Sequence, residues 1–219
     1  MRVELHCHTC FSQDSLMLPA RVLEICRQRG IDKVAITDHN TVAGALQAAE
    51  TDPTRVIVGE EIKTSKGELL AFFVRQEIPS GLEPELAIER LRSQGAFISV
   101  SHPLDGLRDG AWLMEDLRRI LPLVDALEVF NARSWCSWSD RRAAGLAAEA
   151  GLLGTAGSDA HTYAEVGRAS VRMPDFQSAE EMRHALAKAQ VSGRRSTPLV
   201  HLASRYASVR KSLGWHPPG

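Results

Sequence analysis

Two histidines, His6 and His8, stand two residues apart at the end of the first apolar run of the chain, Val3 to His8. Side chains of a strand alternate between its faces, so both imidazoles point one way and Cys7 the other, and the pair can grip one cation. Taken alone, such a pair is weak evidence for metal, and strand-end hydrogen bonding is the better account of it. Asp159 and His161 repeat the spacing inside Gly157-Ser158-Asp159-Ala160-His161, where small residues permit close backbone approach. Asp38-His39 closes the run Ala35-Ile36-Thr37, Glu60-Glu61 follows Val56-Ile57-Val58-Gly59, and His102 follows Ile98-Ser99-Val100-Ser101. Separate strand ends thus carry imidazole or carboxylate, a mixed donor set suited to Zn²⁺, Mn²⁺ or Fe²⁺. The recurrence points to a multinuclear metal site.

These residues cooperate only if one scaffold gathers the strand ends. Strand-like runs recur at Val3 to His8, Lys33 to Asp38, Arg55 to Ile62, Leu69 to Val74, Ala96 to His102, Ala126 to Phe130 and Leu152 to Ala156. Helical stretches lie between most of them. Leu16 to Arg29 has Pro19 near its first turn and Gly30 beyond its end, and Pro84 to Gln94 stops at Gly95 in the same way. Ser139 to Ala150 ends at Gly151, and Ser178 with Glu181 makes a capping box for a helix through Ala189. This alternation argues for parallel βαβ units and for a closed or nearly closed barrel, with a doubly wound open sheet as the runner-up. In a βα barrel the C-terminal strand ends build the active site, which is where the histidines fall. The tail from Ser204 to Gly219 is expected to pack as a last helix, with Arg210 and Lys211 on its surface, before a frayed Pro-Pro-Gly end.

Composition bounds the remaining possibilities. A chain of 219 residues with 44% hydrophobic and 24% charged residues reads as one globular domain, which excludes disordered and fibrous classes. Lys plus Arg at 26 against Asp plus Glu at 27 leaves a formal net charge of −1, so no global basic field attracts nucleic acid. No apolar run reaches the ~20 residues of a membrane span, and the N-terminus lacks a signal-peptide pattern, so a soluble, cytoplasmic protein is expected. Four cysteines are too few for a disulfide scaffold, and reduced thiols fit them better. Gly-x-Ser-x-Gly, Walker and Gly-x-Gly-x-x-Gly motifs are missing from the sequence.

The segments His6-Cys7-His8-Thr9, Ser12-Gln13-Asp14, Ile36-Thr37-Asp38-His39, Gly59-Glu60-Glu61-Ile62, Ser101-His102-Pro103 and Gly157-Ser158-Asp159-Ala160-His161 resemble, in that order, the polymerase and histidinol phosphatase (PHP) family of metal-dependent phosphoesterases. The resemblance runs from residue 3 to about residue 170. It implies an α/β fold, a distorted (β/α)7 TIM-like barrel, here a single domain over 1–219 with C-terminal helices in 178–213 completing it. It also implies two to three divalent metal ions, Mn, Fe or Zn. Carried over, the first ion would be held by His6, His8, Glu61 and Asp159, with Glu61 bridging to a second ion that takes His102. The family often places another His on the following strand; this chain has Glu68 there, and we take Glu68 as the replacement. The third ion would take Asp14, His39 and His161, with Asp14 where some relatives carry His.

The expected activity is that of a metal-dependent phosphoric ester hydrolase acting on a small phosphomonoester. Clustered cations acidify a bridging water and supply hydroxide as nucleophile, with Glu61, Asp159 and His39 at the centre of the chemistry. His39 or Asp38 would move the leaving-group proton. Arg133, Asn131 and Arg168, each following a strand end or metal motif, are the expected phosphate binders, with Lys63 behind them. Nucleotide, sugar phosphate and histidinol phosphate all remain open as substrates, with no membrane partner. The alternatives are an exonuclease-type phosphodiesterase on nucleic-acid ends, a catalytically silent metal-binding scaffold, and an amidohydrolase, for which Lys63 is poorly placed. Trp135 and Trp138 could stack on a base or pack on the barrel rim. Cys7 and Cys10 read as structural thiols, and His184, His201 and His216 are not assigned to metal.

Overall fold

The computed structural model describes residues 1–108 and 111–215, so His216 and the Pro-Pro-Gly end lie outside the described residues. β1 (Arg2–Cys7), β2 (Lys33–Ile36) and β3 (Val56–Lys63) run parallel, connected by α1 (Pro19–Gln28) and α2 (Ala43–Thr51). β4 (Glu68–Phe72) follows β3 directly and returns antiparallel. After α3 (Pro84–Ser93), β5 (Phe97–Val100) reverses direction again, and β6 (Ala126–Asn131) and β7 (Leu153–Gly157) continue parallel to it, preceded by α4 (Met114–Ile120) and α5 (Ser137–Glu149). β8 (Ala169–Arg172) and β9 (Gln190–Gly193), separated by α6 (Ala179–Leu186), extend the sheet beyond β1 with antiparallel pairing, and α7 (Val200–Ser212) follows.

The seven expected strands are β1 to β7, in a nearly closed sheet of nine described strands ordered β7-β6-β5-β4-β3-β2-β1-β8-β9. Two features depart from a regular (β/α)7 pattern. The connection Thr64–Gly67 is too short for a crossover helix; Thr64 donates to and accepts from Gly67, so β3 and β4 form a hairpin and β4 is antiparallel. Consequently Glu68, at the start of β4, pairs with Lys63 at the end of β3 and reaches the same rim as the other strand ends. The short β8 and β9 carry too few apolar residues to register as strands in sequence. The expected capping box forms in part: Ser178 Oγ accepts from the Glu181 N–H at 3.2 Å, while the Glu181 carboxylate takes the N–H of Gln177 at 2.7 Å.

Packing sets which face each strand presents. Val3 and Leu5 pack inward with Ala35, Phe72, Phe97 and Ala126, whereas Cys7 packs outward with Val22, Cys26 and Ile36 under α1. Simple alternation from Leu5 would carry Cys7 inward and the histidines outward. The β1–β2 register slips between Glu4 and Cys7, and this bulge turns the last residues over so that His6 and His8 occupy the inner face. The buried Glu4 carboxylate accepts from the His6 N–H at 3.1 Å, providing for a donor at the irregularity. A similar slip in β6, between Glu128 and Phe130, puts Glu128 and Asn131 on one face despite their odd spacing.

The barrel closes at the rim where these side chains gather. Beyond β7, Ala160 accepts from the His8 N–H at 2.9 Å and donates to His6 O at 3.3 Å, joining first and seventh strands. The approach requires glycine at 157, since a methyl there would fall 2.1 Å from His6 Cβ and 2.8 Å from His6 N. Gly157→Ala is therefore expected to cost about 1–3 kcal/mol and to displace His6. Denaturant unfolding together with metal analysis checks this; wild-type stability and metal content in the variant would show that the contact is dispensable.

Candidate metal centre

Glu61, at the end of β3 and 1% exposed, is the hub of the rim. Its Oε2 lies 3.2 Å from His6 Nε2, 3.3 Å from His8 Nε2 and 3.1 Å from His39 Nδ1. Its Oε1 lies 3.2 Å from His102 Nε2 and accepts from Ser101 Oγ at 2.6 Å. Asp159 Oδ1 completes the first group at 3.3 Å from His8 Nε2 and 3.6 Å from His6 Nε2. Glu68 Oε2 stands 3.5 Å from His102 Nε2 on the other side of Glu61. The third group comprises Asp14, His39 and His161, with His161 Nε2 at 2.9 Å and His39 Nε2 at 3.6 Å from the Asp14 carboxylate. All nine residues expected to hold metal thus converge, and three subsets of them offer donor atoms close enough for a shared ion: His6, His8 and Glu61; Glu61, Glu68 and His102; His8, His39 and His161.

The donor atoms are arranged as cations require. His6 Nδ1 faces Glu128 Oε1 at 2.9 Å, and His8 Nδ1 faces Ser12 Oγ at 3.0 Å while that hydroxyl donates to Asp38. Each neutral ring therefore keeps its hydrogen on Nδ1 and turns an Nε2 lone pair inward. Those two nitrogens are 3.1 Å apart, a repulsive contact unless a proton or metal ion lies between them. Asp14 Oδ1 and His161 Nε2 are likewise buried without a hydrogen bond, although Nε2 lies 2.9 Å from the other Asp14 oxygen, so both keep capacity for a shared cation. The residues fit divalent ions.

Strained backbone sits at the same positions. His102 and Asp159 adopt φ of 26° and 52°, in the left-handed region that non-glycine residues rarely occupy. Asp159 is restrained by Asn131 Nδ2 at 3.2 Å and by Arg108 Nη1 at 2.6 Å, while the His102 N–H is held by Glu128 Oε2 at 2.9 Å. Glu128 and Arg108 were missed by sequence reasoning. Glu128 was hidden by the β6 bulge, and Arg108 lies in the loop after β5, three residues past Asp105, where no local spacing signals its reach to Asp159.

Of the expected phosphate binders, Arg133 and Asn131 border the metal ligands and Arg168 does not. Arg133 is buried, with Nη1 2.6 Å from His161 Nδ1, Nε 3.2 Å from Glu165, and Nη2 donating to Val200 O and Ser204 Oγ at 3.1 and 2.8 Å. Nη1 and Nη2 are engaged within the protein, while Nε lies buried against Glu165 without a hydrogen bond, so Arg133 anchors α7 beside the site. Asn131 is fully buried and spends its amide on Glu128, Asp159, Arg108 and the Arg133 N–H. Arg168 lines a different pocket, with Arg2 and Arg29. Asp38 is saturated by Thr9 and Ser12, which leaves it no path to a leaving group. Lys63, the remaining expected binder, lines a cleft of about 830 Å³ with Arg108 and Arg205, above Asp14, His39 and Glu68. Trp135 stacks on His201 in its wall, ring centroids 4.5 Å apart.

Electrostatics follow from crowding. Burial pulls the His6 and His39 pKa values down, but Glu61 and its neighbouring carboxylates, Asp159 and Glu128 for His6 and Asp14 for His39, overcome this and hold both well above the usual imidazole range. Burial likewise pushes Glu61 and Asp159 up, yet His6 and His39 beside the first, and Arg108 and His6 beside the second, hold both well below the usual carboxylate range. Burial lowers His161 to about 4 against the pull of Asp14. Burial and the Glu61 charge raise Glu68.

The family description PHP domain matches residues 4–103, and the description PHP-associated matches residues 138–191. An uncharacterized protein of Methanocaldococcus jannaschii, MJ1587, is 35% identical over 146 residues, covering 60% of this chain and 82% of that protein. The chain belongs to the PHP-domain family of metal-dependent phosphoesterases. Its fold is similar to that of a candidate metal-dependent phosphoesterase of Bifidobacterium adolescentis, at 20% identity and TM-score 0.64, covering 85% of this chain and 96% of the other. It is also similar to a lesion-specific endonuclease of Pyrococcus furiosus, at 16% identity and TM-score 0.59, covering 87% of this chain and 58% of the other.

Because His6 and His39 are held above the imidazole range, a cation entering near neutral pH must displace protons. Metal affinity is therefore expected to rise with pH through this range, by about tenfold per pH unit for each proton displaced. Calorimetric titration in buffers of different ionisation enthalpy measures those protons, and a buffer-independent heat would contradict the scheme. Removing the Glu128 carboxylate as Glu128→Ala should weaken metal affinity about 10–100-fold, whereas Cys10→Ala should leave it unchanged.

Proposed function

We propose that this protein is a metal-dependent phosphoesterase that hydrolyses a small phosphomonoester. The observation that carries the reading is the position of Glu61, whose two oxygens face two separate groups of imidazoles, with His39 and Asp159 from around it opening into a cleft that Lys63 and Arg205 also line. In this reading His6, His8, Glu61 and Asp159 hold one divalent ion, Glu61, Glu68 and His102 a second, and Asp14, His39 and His161 a third, with Mn, Fe or Zn as occupants. Bound there, such ions supply Lewis acidity that activates water and offsets phosphoryl charge.

The chain's own groups do the positioning. Arg108 lines the cleft with its guanidinium engaged by Asp159, Asp105 and Asn131 and so fixes Asp159, while Lys63 and Arg205 along the walls are suited to meet phosphate oxygens. His39 is 30% exposed at its side chain, against 3% or less for His6, His8, His102 and His161, so its ring is the best placed to reach a leaving oxygen. Glu128, Ser12 and Asn131 fix the orientation of His6, His8 and Asp159. We read residues 1–219 as one domain, since β8 and β9 join the sheet of β1 to β7. A reducing, cytoplasmic setting accords with four unpaired cysteines, and no helix among the described residues is long and apolar enough to cross a membrane.

A second reading, phosphodiester cleavage at nucleic-acid ends, is favoured by the Trp135–His201 stack in the cleft wall, which offers an aromatic surface to a base. The two separate in one experiment. Mn²⁺-reconstituted protein is assayed against nucleotides, sugar phosphates, histidinol phosphate, a chromogenic ester and end-labelled oligonucleotides, with Asp159→Ala as control. Phosphate release from the monoesters by wild type, reduced at least about 10²-fold in the variant, is the expected result. Shortened oligonucleotides without monoester release would establish the second reading, and inactivity of folded, metal-loaded protein on every substrate would leave a silent scaffold.

A further inference from the structure

Apart from the metal centre, a concave pocket of about 570 Å³ is lined by Arg2, Arg29, Arg168 and Arg194 together with Ser170 and Ser192. No carboxylate lines it. Among the described residues, the arginine ion pairs involve other arginines, so these four guanidinium groups have no acidic partner. Asp32 accepts from the main-chain N–H of Arg2 and not from its side chain.

Main-chain carbonyls orient the side chains instead. Arg2 donates to Arg29 O at 2.8 Å, to Gly167 O at 2.7 Å and to Ser170 Oγ at 2.9 Å. Arg29 donates to Ala164 O at 3.3 Å and to Val166 O, and Arg168 to Arg195 O at 3.1 Å. A carbonyl fixes the direction of a guanidinium but leaves its full charge, so orientation has been provided here without neutralisation. Arg168 Nε is moreover buried with no hydrogen-bond partner. Like charges gathered in one concavity repel, and a multiply charged anion relieves that repulsion while taking up the free N–H groups.

We propose that this pocket binds the di- or triphosphate group of a small molecule, separately from the metal centre. Phosphate oxygens match the forked donors of arginine, and several phosphates are needed to meet four charges. A nucleic-acid backbone is a poorer match, because it calls for an extended track of cations and the whole chain carries a net charge of −1. The segment that lines the pocket is also tied to the rim: Ala164 to Arg168 follow His161 closely, and Glu165 accepts from the His161 N–H at 3.2 Å. An anion joining Arg29 to Arg168 would brace that segment.

The test uses protein stripped of metal and dialysed, so that the metal centre cannot hold the anion. Tripolyphosphate, ATP, adenosine and a single-stranded oligonucleotide are titrated by calorimetry into wild type, Arg194→Gln, Arg29→Gln/Arg194→Gln and Arg194→Lys, with unliganded thermal unfolding as the check on folding. One tripolyphosphate per chain is expected, weakened at least about tenfold in the double variant and largely retained in Arg194→Lys, with no uptake of adenosine. ATP binding more tightly than tripolyphosphate would identify a nucleotide as the source, and equal binding the phosphate chain alone. The exposed Arg194→Gln should weaken binding even if the double variant unfolds. No uptake by wild type, equal affinity in wild type and Arg194→Gln, or displacement of tripolyphosphate by lower concentrations of oligonucleotide would overturn the proposal.

Discussion

A single buried carboxylate oxygen, Glu61 Oε2, faces nitrogens of His6, His8 and His39 at 3.2, 3.3 and 3.1 Å, and the rest of the molecule is arranged to make that crowding tolerable. Desolvating one ion costs several kcal/mol, and removing one partner of a buried pair leaves the other uncompensated at about 3–5 kcal/mol. One imidazole could not offset the burial of Glu61, Asp159 and Glu68 together. The cluster is therefore satisfied as a unit by shared protons or by cations. This is why His6 and His39 are pushed up, and Glu61 and Asp159 down, within the same few ångströms.

That cluster exists because the backbone is irregular where regularity would fail. The bulge in β1 turns His6 and His8 to the inner face, and the bulge in β6 gives Glu128 and Asn131 a common direction. Gly157 lets β7 close onto His6, while left-handed backbone at His102 and Asp159 aims both side chains at the centre. Glu128 then serves twice, holding His6 Nδ1 with one oxygen and the His102 N–H and Asn131 amide with the other. The irregularities are thereby locked by hydrogen bonds.

The walls rest on longer connections. Lys211 of α7 donates to Cys10 O at 2.6 Å and to Ser12 O, tying the last helix to the loop that carries Ser12 and Asp14. Arg133 holds the opposite end of α7 through Val200 O and Ser204 Oγ. Arg133 and Asn131, expected from their type to meet substrate, are thus used as struts, and of the cations that reach the cleft Lys63 follows the Glu61 motif while Arg108 and Arg205 come from segments without one. Residue type alone does not distinguish these uses, because a guanidinium binds a carbonyl and a phosphate with the same donors.

Beyond Asp14 and Glu68, which the family resemblance supplied, what the sequence determined by itself was local: which strand ends carry imidazole or carboxylate, and where proline and glycine bracket α1 and α3. Those signals survive in sequence because spacing along a strand or helix fixes direction over a few residues. Tertiary structure decided the antiparallel course of β4, the addition of β8 and β9, and the support given by Glu128, Arg133 and Arg108. Each depends on which groups meet across a long sequence separation, as Arg133 meets Ser204 and Arg108 meets Asp159. Bulges break the alternation on which spacing arguments rest, so only the closed barrel shows which face a shifted side chain reaches.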